Sequence, residues 1–158
     1  MADRIPMTRG GYVKLEGDLK QLKSVERPKI VREIEAARAH GDISENAEFH
    51  AAKEHQGQIE ARIALVNDRL GRAQVIDPKG QTGEKVRFGA IVEIEDQETG
   101  ERETWQIVGE DEADTKEGRI SVTSPIARAL LGKEADVTVQ IEVPRGTREL
   151  LLVDVRYD

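Results

Sequence analysis

Two stripes of apolar residues, separated by a short polar stretch, constrain the fold of this chain more than any other feature. In the first, Leu15, Leu19 and Leu22 are followed by Ile30, Ile34 and Ala37; in the second, Ile59, Ile63, Val66, Leu70 and Ala73 repeat the same steps of three and four. That step is the repeat of one helix face. Two such helices joined by a short loop bury their stripes by folding back on each other as an antiparallel pair. The second helix, read over residues 47–73, is about 40 Å long at 1.5 Å per residue. Thr8 is placed to cap the first helix, although Gly10 and Gly11 weaken its opening turn. Pro28 falls inside the repeat and removes a backbone donor there, so a kink or short break is expected around residues 24–28. The helix then resumes through His40 and stops at Gly41, read as a left-handed C-cap.

After residue 77 the pattern turns from helical to alternating. Residues 90–95 and 104–108 read as strands joined by Asp96-Gln97-Glu98-Thr99-Gly100, with a further short strand at 119–122. Ser124-Pro125 opens a short helix, Ser as N-cap and Pro at its first position, which runs through Ala127, Leu130 and Leu131 to Gly132. Residues 137–143 and 149–155 complete the series around a Pro144-Arg145-Gly146 turn. The expected class is α+β. A long antiparallel coiled-coil hairpin occupies residues 1–76 with its tip at 41–48, a linker follows at 77–83, and a small antiparallel sheet with one short helix fills 84–158.

Charge and composition narrow the function. Residues 1–76 carry 13 basic and 12 acidic side chains, a net of +1, whereas residues 77–158 carry 11 and 19, a net of −8. The second unit is therefore a poor nucleic-acid binder on its own. Five aromatic residues (Tyr12, Phe49, Phe88, Trp105 and Tyr157) leave no platform for stacking bases. No apolar run is long enough to cross a bilayer, and the N-terminal residues lack the apolar core of a signal peptide. Cysteine is absent, which removes disulfides and thiolate metal sites and makes a soluble cytoplasmic protein the expectation.

At the hairpin turn, Asp42-Ile43-Ser44-Glu45-Asn46-Ala47-Glu48 places three carboxylates with no base among them. Two readings compete for these acids. In one, Asp42 caps the second helix and Glu45 reaches back to the amide of the cap, an arrangement the helix dipole favours. In the other, the acids are oxygen ligands at the end of a rod. Magnesium accepts one or two protein carboxylates and fills its other positions with water or phosphate, so a pair of acids could complete part of such a site. The chain offers no phosphate cradle, no nucleophile beside a base and no closed metal cage, so any chemistry must be completed by another protein. His50 and His55 resemble a zinc-protease pair only at a glance, because at five residues apart they do not share a helix face; partial burial of His55 and exposure of His50 are expected. The run Glu110-Asp111-Glu112-Ala113-Asp114 reads as a solvated loop.

The residues resemble a known family, the bacterial Gre transcript-cleavage factors of the GreA type, along essentially the whole chain. The most specific blocks are His40-Gly41-Asp42-Ile43-Ser44-Glu45-Asn46-Ala47-Glu48-Phe49-His50 and Ile120-Ser121-Val122-Thr123-Ser124-Pro125-Ile126-Ala127-Arg128-Ala129-Leu130-Leu131-Gly132-Lys133. Gln74-Val75-Ile76-Asp77 and the segment from Ile107 to Asp114 match in the same order. The resemblance implies an FKBP-like fold for the second unit, which would dock at the secondary channel of bacterial RNA polymerase while the rod reaches the active centre. It implies that the tip stimulates the polymerase's own cleavage of backtracked RNA and rescues arrested complexes. The family's tip acids fall on Asp42 and Glu45, and its basic positions toward the nascent RNA 3′ end fall on Arg38 and Lys53. Lys53 stands where Arg is also common and keeps the charge without the bidentate geometry. The docking surface falls on Ser124, Pro125, Ile126 and Ala127, where the plain structural reading is a helix cap and core packing. No metal is expected on the free protein and no cofactor of its own, only the Mg2+ held by the polymerase, and neither a membrane nor a small-molecule substrate is implied. The alternative is a regulator of the same fold that occupies the channel and inhibits without promoting cleavage. Prolyl isomerase activity does not follow from the fold, because function resides in sites and the sparse aromatics argue against the pocket it needs.

Overall fold

The computed structural model describes residues 3–41, 46–77 and 85–157. They form two compact units: residues 12–72 make up one, and residues 3–11 join residues 73–77 and 85–157 in the other. Among the described residues no helix is long and apolar enough to cross a membrane.

The first unit is the helical hairpin. Helix α1 (Arg9–Gln21) passes through a π-helical turn at Leu22–Glu26 into α2 (Arg27–Arg38), and α3 (Ala47–Arg72) returns alongside. The seam between α2 and α3 buries Ile30, Ile34 and Ala37 against Phe49, Ala52, Ile59 and Ile63, with Leu19 and Leu22 packed at its margin. The expected break at residues 24–28 is instead a widened turn. From Leu22 to Ile30 the stripe advances eight residues rather than seven, and at about 100° per residue an unbroken α-helix would swing Ile30 some 80° off the seam. The π turn absorbs the extra residue: the N–H of Arg27 donates to the carbonyl of Leu22, five residues back. Immediately after it, Pro28 sits in the first turn of α2, where its missing N–H is tolerated.

Helix α2 ends at Arg38, and the N–H of His40 turns back to the Ala37 carbonyl. The helix thus stops two residues short of His40. Gly41 follows at φ 130°, a positive angle that glycine adopts without strain, although wider than the left-handed helical value expected. On α3 the seam positions are Phe49, Ala52, Ile59, Ile63 and Val66. Gln56, half-buried, takes the step between Ala52 and Ile59. His55 is thereby pushed to the flank and is exposed like His50, correcting the expectation that it enters the seam.

The second unit holds a five-stranded sheet in the order β5-β4-β3-β7-β6, from β3 (Ile91–Asp96), β4 (Arg102–Val108), β5 (Arg119–Ser121), β6 (Thr138–Val143) and β7 (Gly146–Arg156). Helix α4 (Pro125–Leu130) contributes Ala127 and Leu130 to a core with Val92, Ile94, Ile107, Leu150 and Leu152. All pairings are antiparallel except β4 with β5, which is parallel, so the sheet is mixed rather than antiparallel throughout. The ten residues between β4 and β5 supply the crossover that a parallel neighbour needs and a tight hairpin cannot.

A second, two-stranded sheet pairs β1 (Ile5–Met7) in parallel with β2 (Ala73–Val75). It brings the N-terminal residues into the sheet unit, whereas the sequence reading divides the chain at residue 76. Met7 is fully buried. The carboxylate of Glu112 holds the segment, accepting from the Thr8 N–H at 2.9 Å, from the Thr8 hydroxyl and from the Gly109 N–H at 3.1 Å. Glu112 therefore leaves the solvated loop expected for residues 110–114 and becomes half-buried. Thr8 caps α1 as expected, its hydroxyl accepting from the Gly11 N–H at 3.1 Å.

Candidate functional site

Asp42 and Glu45, the acids at the hairpin turn, lie outside the described residues. What the structure describes is the base that carries them. The first turn of α3 is capped by Asn46, whose Oδ1 accepts from the Phe49 N–H at 3.1 Å. The capping position that the spacing D-x-x-E offers to Asp42 is four residues too early, since α3 begins at Ala47. That is a correction to the capping reading: helix geometry seats the cap immediately before the first helical residue, and Asn46 stands there. The amide of the same side chain donates to the carbonyl of Ala37 in the last turn of α2. One residue thereby closes both strands of the hairpin beneath the turn.

The two flanks of the hairpin next to this base differ in chemistry. On one flank the guanidinium carbon of Arg38 lies 5.6 Å from the centre of the Phe49 ring, a cation–π distance, and the His50 ring meets the edge of Phe49 at 5.7 Å and 74°. Lys53 lies along that side of α3, exposed, with its ammonium donating to Gln56 Oε1 at 3.1 Å. Arg38 and Lys53 are thus solvent-facing on opposite helices, and Phe49, itself buried, is the floor under Arg38. The opposite flank is a shallow groove of about 440 Å³ with a floor of Ala36, Ala37, Ala51 and Ala52 and walls of Glu33, Glu48, His40 and His55. Among the described residues no group of three or more acids and histidines is arranged to hold a metal ion.

The second candidate region is the start of α4. Ser124 is the N-cap, its hydroxyl accepting from the Ala127 N–H at 3.3 Å, and Pro125 occupies the first turn. Pro125 is exposed, Ser124 and Ile126 are half-buried, and Ala127 is fully buried in the core. The four residues therefore divide: Pro125 with the outer faces of Ser124 and Ile126 offers surface, and Ala127 supports it from beneath.

Sequence reasoning missed Asn46 and Phe49 as parts of the tip base. A signal for both was present. Asn is among the favoured cap residues, and Phe49 continues the three-and-four step of the second stripe backward through Ala52.

The N-terminal transcription elongation factor model of the GreA/GreB type matches residues 5–75, and the GreA/GreB C-terminal model matches residues 81–157. The chain belongs to the GreA/GreB family of transcription elongation factors. It is 56% identical to a transcription elongation factor GreA of Anaeromyxobacter sp. over 98% of this chain and 93% of that one. It is likewise 56% identical to a GreA of Hyphomonas neptunium over 98% and 99% of the two chains. Among solved structures, the transcription factor Gfh1 matches at 30% identity over 99% of both chains, with a TM-score of 0.48.

Proposed function

We propose that this chain inserts its helical hairpin into the secondary channel of bacterial RNA polymerase and stimulates the polymerase's own endonucleolytic cleavage of backtracked nascent RNA. It is not itself a nuclease, and it works in the cytoplasm where its partner transcribes. The observation that carries the reading is the cap of α3. Asn46 fills that position, so the capping oxygen at the start of α3 comes from a residue other than Asp42 and Glu45, the two acids on which the resemblance places the family's tip.

Their donor set suits a partial site and no more. Two carboxylates can add oxygen ligands to an ion that the polymerase already holds, and they are too few to close a cage on the free protein. Such an ion, when bound, would supply charge stabilisation at the scissile phosphodiester. Asp42 and Glu45 orient the attacking water and hold it by hydrogen bonds. Arg38, seated on Phe49, and Lys53 face the phosphates of the RNA 3′ end, which is a matter of charge and position rather than of base reading. Pro125, with Ser124 and Ile126, anchors the sheet unit at the channel entrance.

The test is cleavage by stalled elongation complexes with and without the protein, beside free RNA lacking polymerase. Acceleration only in the presence of polymerase is expected. Cleavage of free RNA would overturn the assignment of the chemistry to the polymerase, and a stalled complex that binds the protein without cleaving faster would leave an inhibitor.

A further inference from the structure

Gly41 and Asn46 flank residues 42–45 in the chain, and the structure describes both. Asn46 is half-buried and its side chain is used twice, as acceptor for the Phe49 N–H and as donor to the Ala37 carbonyl. Its own carbonyl accepts from the His50 N–H at 3.1 Å, closing the first α-turn. The carbonyl it reaches, in the last turn of α2, also accepts from the His40 N–H at 3.2 Å, and a carbonyl oxygen has two lone pairs, so the Asn46 amide takes the second. Few side chains can do both tasks. Asp supplies the acceptor without a donor, and Ser or Thr caps with a hydroxyl too short to span to the other helix. A cap alone would be satisfied by any of them.

We propose that Asn46 is a positioning residue for the tip carboxylates: by tying the first turn of α3 to the last turn of α2, it fixes the spacing of the chain ends that carry residues 42–45. The inference rests on the assignment of Asp42 and Glu45 given under the proposed function. Its physical content is that carboxylates delivered into another protein's active centre act only when placed within a fraction of an ångström, and a loose base spoils that placement before it spoils the fold.

The experiment uses the full chain with stalled elongation complexes and the variant Asn46→Ser, which keeps a cap of equal rank and lacks the amide donor. The melting temperature and the protein concentration giving half-maximal stimulation should stay at the wild-type values. The maximal cleavage rate should fall by about 10-fold or more, and the magnesium concentration required for half of it should rise. Should Asn46→Ser lose helix, Asn46→Asp, another strong cap without the donor, is read by the same criteria. A wild-type maximal rate in a folded variant overturns the proposal, as does a defect seen only as a higher protein requirement. Asp42→Asn/Glu45→Gln is measured in parallel. If that variant is inactive while Asn46→Ser is normal, the positioning role fails and the tip assignment stands; if it is fully active, the tip assignment itself has failed.

Discussion

Along the hairpin, burial is a single seam: Ile30, Ile34, Phe49, Ile59 and Ile63 are covered while the residues beside them face water. In the sheet unit, Val92, Ile107, Ala127, Leu130, Leu150 and Leu152 retain no exposed surface at all, and they come from strands and a helix far apart in the chain. A seam tolerates local change because each residue supports mainly its neighbours one turn away. A closed core does not, because removing one side chain leaves a void that the surrounding elements cannot fill.

The first way to break this contrast is Leu150→Ala. It should destabilise the sheet unit by about 2–5 kcal/mol, with Ile34→Ala in the hairpin at the lower end of that range because Ile34 lies nearer the surface. Fluorescence of Trp105, which packs against the sheet core, follows one unit, and far-ultraviolet circular dichroism is dominated by the helices of the other. Equal losses would mean that the hairpin is as tightly packed as the core.

Next in size is Gly109→Ala. A Cβ there would lie 2.5 Å from the backbone carbonyl of Pro6, so β1 must shift, at about 1–3 kcal/mol. Hydrogen exchange of the Ile76 N–H, which donates to the Met7 carbonyl at 2.9 Å, should quicken while the amides of α3 keep their protection. Unchanged exchange at Ile76 would show that the segment is held without the close approach.

A smaller effect separates the units by pH. The Asp96 carboxyl is held below its ordinary value of 3.8, first by the Glu98 N–H, then by the Thr99 N–H and the Arg148 guanidinium at 3.1 Å. A depressed folded-state value means stability that is present above the unfolded value and is lost as pH falls through the folded one. The sheet unit should therefore weaken below about pH 4, and Asp96→Asn should be less stable than wild type at neutral pH with a shallower acid decline. Glu60 is lowered in the same direction by Arg27, at 2.8 Å. That pair is exposed, and such pairs contribute little, so Glu60→Gln should leave the acid profile of the hairpin nearly unchanged. A parallel acid decline in Asp96→Asn and wild type would remove Asp96 from the account.

The smallest expected change is deletion of Val25 together with Pro28→Ala. If the π turn serves to absorb one residue, the deletion restores a seven-residue step between Leu22 and Ile30 and the helix content and melting temperature should hold. Loss of helix would show that the turn has a structural role beyond phase.

What the sequence made legible was local. The three-and-four stripes, the Thr8 and Ser124 caps, Pro125 in the first turn of α4 and the alternation of Val92 and Ile94 are each decided within a few residues, and each is found in the structure, save that the second stripe's last member, Ala73, lies in β2 because α3 ends at Arg72. Features that depend on residues far apart were not legible. Glu112 meets Thr8 across 104 positions, and the pairing of β1 with β2 spans nearly the whole hairpin, so no window along the chain contains both partners. The π turn had a local sign in the eight-residue gap and the nearby proline, but an interrupted pattern does not say whether the helix will break or widen. At the tip, the D-x-x-E spacing pointed to Asp42 as the cap and passed over Asn46, although both are favoured types; the start of α3 at Ala47 is what places the cap on Asn46.

The most direct test of the central claim replaces Asp42 with Asn and Glu45 with Gln in the full chain, keeping size while removing charge, and measures RNA cleavage in stalled elongation complexes across a magnesium titration. The variant is predicted to fold and to bind polymerase with wild-type affinity, to lose the acceleration of cleavage, and to recover part of it at high magnesium. Cleavage at the wild-type rate throughout the titration would contradict the assignment of the tip carboxylates.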